Sequence, residues 1–317
     1  MIQPPFDIEA LWTLSPADFD TKAKLLQDWQ AEHNPVFKEW VKLTSGLPFL
    51  PISFFKTHDV YIGQKPSIHF ESSGTTGDVV SKHWVGDIGL YETSFNKCFE
   101  LFYGNPEEYC VIGLLPSYLE RSHSSLVYMV DHLIKQSNHP SSGFYLNDFE
   151  KLDTVLKQLE ANHQKTLLIG VSFALMDFGE AFPQQLKSTM VMETGGMKGR
   201  RIEMIKPLLH AYLNERLGTS HIHSEYGMTE LLSQAYAIKE GIFRCPPWMK
   251  ILVGDEEDPN QLKTVGRGIL HVIDLANIYS CAFIATQDMA EVYEDGSFSV
   301  LGRADNSDRR GCSLLVV

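Results

Sequence analysis

The chain has 317 residues, 44% of them apolar, enough to bury a full core in one large domain or two subdomains. Its formal charge of −13 opposes a polyanionic partner and its one dense basic cluster, Lys198-Gly199-Arg200-Arg201, is short, so no nucleic-acid partner is expected. No apolar run is long enough for a membrane span, the N-terminus shows no basic-then-apolar leader, and the five scattered cysteines form no Cys-x-x-Cys pair, so a cytoplasmic protein with free thiols is expected.

Residues 17–43 place Leu25, Leu26, Trp29, Phe37, Trp40 and Val41 at helical spacing and predict a helical N-terminal region; an extended connector follows from Pro48 to Phe55. Short β-rich runs then alternate with helical segments. The strands are Ser67 to Phe70, Tyr109 to Leu114, Thr166 to Ile169 and Thr189 to Met192; the helices are Ile88 to Tyr103, Ser124 to Lys135, Phe149 to Leu159 and Phe173 to Phe182. This alternation predicts an α/β fold with mostly parallel sheets flanked by helices. After Pro246-Pro247 come strands without long helices, Lys250 to Val253, Gly268 to Ile273 and Cys281 to Ala285, with a hairpin through Glu294-Asp295-Gly296. The expected organisation is an α/β body over residues 1–245 and a smaller β-rich subdomain over 246–317.

The segment Glu71-Ser72-Ser73-Gly74-Thr75-Thr76-Gly77-Asp78 follows a predicted strand. Its glycines free the backbone N–H groups and its hydroxyls add donors, which suits a polyphosphate; a plain surface turn has the same composition. Because Asp78 follows Gly77, it is not a kinase-type P-loop. Tyr226-Gly227-Met228-Thr229-Glu230, taken alone, reads as a strand end and helix cap; its aromatic face can also stack on a base, its Thr hydroxyl reach a phosphate and its Glu carboxylate hold Mg2+.

Together these segments, in order and about 150 residues apart, resemble the phosphate loop and the Tyr-Gly-x-Thr-Glu motif of the adenylate-forming superfamily, which includes the acyl-CoA synthetases. Further segments resemble that family's pattern. Glu193-Thr194-Gly195-Gly196 is similar to the segment lying against the adenine, Ala285-Thr286-Gln287-Asp288 to the segment whose Asp binds the ribose, and Gly302-Arg303-Ala304-Asp305 to the hinge. Gln287 stands where the family has Gly, which bears on the geometry of that loop. With twelve residues after Asp305, the mobile C-terminal domain of the superfamily is expected to be absent. The short form most resembles the acyl-protein synthetases of bacterial bioluminescence operons, which activate fatty acids, through segments such as Phe54-Phe55-Lys56-Thr57 and Pro116-Ser117-Tyr118-Leu119-Glu120-Arg121.

The resemblance implies ATP-dependent activation of a carboxylic acid to acyl-AMP, then transfer to a thiol: the chain's own Cys312, coenzyme A or a partner protein. It implies Ser72, Ser73, Gly74, Thr75, Thr76 and Gly77 on the phosphates, Gly195, Gly196, Tyr226 and Gly227 at the adenine, Thr229 at the α-phosphate, Glu230 on Mg2+, Asp288 on the ribose and Arg303 at the hinge. Lys82 is either a phosphate ligand or a surface lysine, and Cys312 either an acyl acceptor or a small apolar residue of a terminal strand. His221, His223 and Glu225 alternate toward one strand face, as metal ligands or as part of a strand feeding the adenine pocket; His123 faces the acyl site or caps a helix. The rival function is a non-catalytic nucleotide or acyl-adenylate-binding protein that keeps the pocket.

Overall fold

The computed structural model describes residues 2–44, 49–73, 79–116, 123–195, 204–255 and 261–304. They form two compact units: one contains residues 1–97, 228–234 and 244–317, the other residues 98–227 and 235–243.

The first unit begins with α1 (Pro16–His33) and α2 (Pro35–Leu43). The predicted helical region is two helices parted at Asn34, whose side-chain oxygen accepts from Val36 N and Phe37 N at 3.0 Å each while Pro35 opens α2. In place of an extended connector come a two-residue strand, β1 (Leu50–Pro51), and a short helix, α3 (Phe54–Thr57). The hairpin β2 (His69–Glu71) and β3 (Lys82–Trp84) follows, and then α4 (Ile88–Tyr103), through which the division between the units passes.

The second unit is a sheet in the order β5-β4-β6-β7-β8-β9, from β4 (Cys110–Leu114), β5 (Gly143–Phe144), β6 (Thr166–Val171), β7 (Thr189–Thr194), β8 (His223–Tyr226) and β9 (Ala235–Ala237). All its pairings are parallel except β8 with β9. Every residue of β4, β6 and β8 is buried, as expected of parallel strands covered on both faces. The crossovers are α5 (Ser125–Ser137), α6 (Phe149–Ala161), α7 (Ser172–Ala181) and α8 (Lys206–Leu217). The sequence reading did not anticipate α8. It stops at Gly218, whose φ of +64° and close approach to the Gln184 carbonyl leave no room for a Cβ.

The C-terminal strands return to the first unit: β10 (Met249–Gly254), β11 (Leu262–Lys263), β12 (Gly266–Asp274), β13 (Phe283–Val292) and β14 (Phe298–Arg303). They pair antiparallel, and β1 joins the edge of β13 in parallel, Leu50 against Ile284 and Pro51 against Ala285. The N-terminal helices are tied to this sheet by buried amides. Gln30 Nε2 donates to the Asn277 and Ile278 carbonyls at 2.9 and 2.7 Å, its Oε1 accepts from Ala282 N, and Asn34 Nδ2 donates to the Ser280 carbonyl.

Candidate functional site

In the first unit the antiparallel register of the hairpin sets Glu71 against Lys82. Its neck is closed by two hydrogen bonds: Ser72 N donates to the Ser81 carbonyl at 3.1 Å, and Ser81 N donates to Ser72 Oγ at 2.9 Å. Ser73 is exposed beside this neck, whereas Gly74, Thr75, Thr76 and Gly77 lie outside the described residues. The Ser81 side chain hydrogen-bonds to the Glu230 carboxyl, so the mouth of the hydroxyl-rich loop meets an acid about 150 positions further along the chain. Glu230 is 4% exposed. Burial pushes its pKa up, against the opposing pull of the Ser81 hydrogen bond and of the Lys56 and Arg303 charges.

The turn carrying Thr229 and Glu230 is held through its backbone. His83 Nδ1 donates to the Thr229 carbonyl at 2.8 Å, and Asn277 Nδ2 donates to the Glu230 carbonyl at 2.8 Å and to Cys281 O at 2.9 Å. The other ring nitrogen, Nε2, lies 3.2 Å from Asn277 Oδ1, and burial pushes the His83 pKa down to about 4 against the pull of both contacts. Just beyond the turn, the buried Asp274 carboxylate accepts from Leu232 N, Ser233 N, Ser233 Oγ and Ala276 N at 2.6–3.2 Å. Asp288 and Arg303 are cross-strand partners on β13 and β14. Asp288 N donates to Thr286 Oγ1, which donates to the Leu270 carbonyl, and the Arg303 guanidinium donates to Gln287 Oε1. The residue that departs from the expected Gly is thus the one that holds Arg303. Lys82 lies 3.5 Å from Glu71 as a half-exposed ion pair.

In the second unit, Gly195 and Tyr226 sit at the carboxyl ends of the adjacent parallel strands β7 and β8, the edge where open α/β sheets bind ligands. Gly195 has a φ of +67°, open to glycine, and its carbonyl accepts from Ser172 Oγ at 2.8 Å. Tyr226 is 8% exposed and meets the Phe243 ring edge-on at 5.9 Å; Gly227 is exposed, and Gly196 lies outside the described residues.

Behind Gly195, burial would push the Glu193 pKa up, but the Lys206 ammonium and hydrogen bonds from His210, Lys206 and Ser224 outweigh it and hold it near 2. Across the strand pair, burial raises the Glu225 pKa to about 7 although Thr194 Oγ1 donates to it. The His221 and His223 rings are 5.1 Å apart, and among the described residues no group of three His, Cys, Asp or Glu side chains is placed to hold a metal. His123 is exposed, and Cys312 lies outside the described residues.

No protein-family model and no curated protein sequence matches the chain. Among solved structures it is similar to ATP-bound MatB from Rhodopseudomonas palustris, with a TM-score of 0.56 at 16% identity over 77% of this chain and 49% of that one. It is also similar to 2-hydroxyisobutyryl-CoA ligase in the postadenylation state in complex with 2-HIB-AMP, with a TM-score of 0.65 at 11% identity over 96% of this chain and 72% of that one. The same ligase in an open conformation with 2-HIB-AMP and CoA gives 0.64 at 10% identity, over 96% and 80%.

The fold is that of the adenylate-forming, acyl-CoA synthetase-like enzymes.

The chain spans about half the length of the MatB structure it matches. Within this adenylate-forming fold, Ser81, His83, Asn277 and Asp274 build the ground under the motif residues, and the sequence reading singled out none of them. They belong to no glycine-rich or hydroxyl-rich string; their partners lie far away in the chain, 146 positions in the case of His83 and Thr229. Among the described residues no helix is long and apolar enough to cross a membrane, and Cys98, Cys110, Cys245 and Cys281 are free thiols.

Proposed function

We propose that the chain activates a carboxylic acid as its acyl-adenylate: a substrate carboxylate oxygen attacks the α-phosphorus of ATP, the bond to the β-phosphate oxygen breaks, and pyrophosphate leaves. The observation that carries this reading is the meeting of two motifs: Ser81, at the neck of the Ser72–Gly77 loop, hydrogen-bonds the Glu230 carboxyl of the Tyr226–Glu230 segment.

In this reading Ser72, Ser73, Gly74, Thr75, Thr76 and Gly77 wrap the phosphates, with Lys82 beside them. Tyr226, Gly227, Gly195 and Gly196 face the adenine, Asp288 accepts from the ribose hydroxyls, Thr229 reaches the α-phosphate, and Arg303 belongs to the hinge. Little proton transfer is required of side chains in such a displacement, so these residues act by holding the reacting atoms in line and by stabilising charge.

A divalent cation fits the donor set. Glu230 presents one hard-oxygen carboxylate that burial makes costly to ionise, and Mg2+ is bound by one or two carboxylates together with substrate phosphates. When bound, Mg2+ would neutralise phosphate charge, with Glu230 as its protein ligand. The acid is drawn from acyl acids, fatty acids included, and the product passes to a thiol: Cys312, coenzyme A or that of a partner protein, as in the short acyl-protein synthetase type.

The test is acid-dependent exchange of labelled pyrophosphate into ATP across short, aromatic and long-chain acids. Exchange with at least one acid is expected; ATP binding without exchange for any acid contradicts the reading.

A further inference from the structure

We propose that Lys56 is a nucleotide-phosphate ligand of this site, a cation supplied by the short helix α3 to the anion held beside Glu230. The inference rests on the nucleotide site proposed above. Four observations place the lysine.

First, β1 pairs with β13 at Ile284 and Ala285, and Ile52 N donates to the Ala285 carbonyl at 2.9 Å, so α3 starts against the strand that carries Thr286 and Asp288. Second, Phe55 is 1% exposed and its ring meets the His83 imidazole edge-on at 5.8 Å. That imidazole holds the Thr229 carbonyl, so α3 is packed through one residue onto the turn that carries Glu230. Third, Lys56, next to the buried Phe55, is exposed, and its charge acts on the Glu230 carboxyl as that of Arg303 does. Fourth, among the described residues Lys56 forms no ion pair, whereas Lys82 is engaged by Glu71 and Arg303 by Gln287.

A buried carboxyl with two cations near it but outside ion-pair distance is a charge arrangement suited to a metal-bound phosphate. A flexible ammonium with no ion-pair partner among the described residues closes on a phosphate oxygen at little cost to the protein. Placing the cation on a helix anchored by Phe55 keeps its stem near the site without fixing its head.

The experiment is calorimetric titration of the full chain with ATP and, separately, with adenosine, for wild type, Lys56→Ala, Lys56→Gln and Lys56→Arg at low and high salt. Removing the charge is expected to weaken ATP about tenfold or more at low salt and less at high salt, because a hydrogen bond to a charged group is lost and salt screens what remains. Adenosine, which has no phosphate, should bind all four proteins alike, and Lys56→Arg should retain most of the ATP affinity. The adenosine arm also shows that each variant is folded, and Lys56→Gln keeps a comparable stem should Lys56→Ala behave poorly. ATP affinity within twofold of wild type in both neutral variants overturns the assignment, as does an equal loss for adenosine. A wild-type protein that binds neither ATP nor adenosine overturns the nucleotide site itself, and this proposal with it.

Discussion

In the parallel-sheet unit, β4 and β6 are buried and largely apolar along their length, and the candidate residues Gly195 and Tyr226 lie where β7 and β8 end, with the buried carboxyls Glu193 and Glu225 on the same two strands. In the antiparallel unit the candidate residues lie on a turn and on strand edges, and a buried polar hub sets them: Gln30, His83, Asp274 and Asn277 are all under 2% exposed. The apolar strands β4 and β6 need close packing beneath the sheet; the hub needs every buried donor and acceptor to find its partner. Damage to the two should therefore differ in kind, with packing defects costing stability alone and hub defects costing stability and site geometry together.

The largest effect should come from Asp274→Ala, which leaves the Leu232, Ser233 and Ala276 N–H groups buried without their acceptor. A loss of about 4 kcal/mol in urea unfolding is expected, at about 1–3 kcal/mol per orphaned group. Pyrophosphate exchange should fall with it, because Leu232 and Ser233 follow Glu230 closely. A loss under about 1 kcal/mol would remove the hub from the account.

Leu168→Ala in the centre of β6 should cost about 3 kcal/mol through lost transfer energy and the cavity left behind. Exchange per folded molecule should be unchanged. Equal damage to exchange in the two variants would erase the contrast between the units.

Smaller, and confined to one substrate, is Asp288→Ala. If its carboxylate accepts from the ribose hydroxyls, the KM for ATP should rise about tenfold or more while that for the acid stays put, since each such bond is worth about 1.5–3 kcal/mol. A change in the acid's KM alone would reassign Asp288.

The mildest effect concerns pH. The folded-state pKa of Glu225, about 7, lies above its ordinary 4.5, so the folded protein binds this proton more readily than the unfolded chain does. Glu225 therefore imposes no penalty below about 4.5, a growing one as pH rises toward about 7, and a constant one above it. Glu225→Gln should flatten that part of the stability curve; parallel curves for the two proteins would show that Glu225 ionises freely.

These contrasts follow what could be read in advance. Helix α4 was predicted with its observed bounds, and β6, β7 and the β13–β14 hairpin emerged from β-branched runs and a Gly turn. The N-terminal helical region was legible from its apolar spacing, while its division at Asn34 follows from Asn before Pro, itself a helix-start signal. Helix α8 was missed although Leu209, Leu213 and Leu217, all buried, repeat every four residues between Pro207 and Gly218. Of the candidate residues, Ser72, Gly195, Tyr226 and Glu230 stand out in the sequence because each falls in a short motif that resembles a family pattern, although turns share the composition of the glycine- and hydroxyl-rich ones. His83, Asn277 and Gln30 do not, because all but one of their side-chain hydrogen bonds join positions 47 to 252 residues apart and no local pattern announces them.

The central claim, that Glu230 is the metal-holding acid of an adenylate-forming site, is tested most directly by Glu230→Gln. Pyrophosphate exchange with Mg2+ and the nucleotide affinity without metal would be measured on the same protein. The substitution keeps the side chain's size and its contact with Ser81 but removes a hard-oxygen ligand. The account predicts that exchange falls by about a hundredfold or more, on the scale of losing one charge-stabilising group from an active site, while metal-free nucleotide binding stays within a few-fold of wild type. Exchange at the wild-type rate would contradict it.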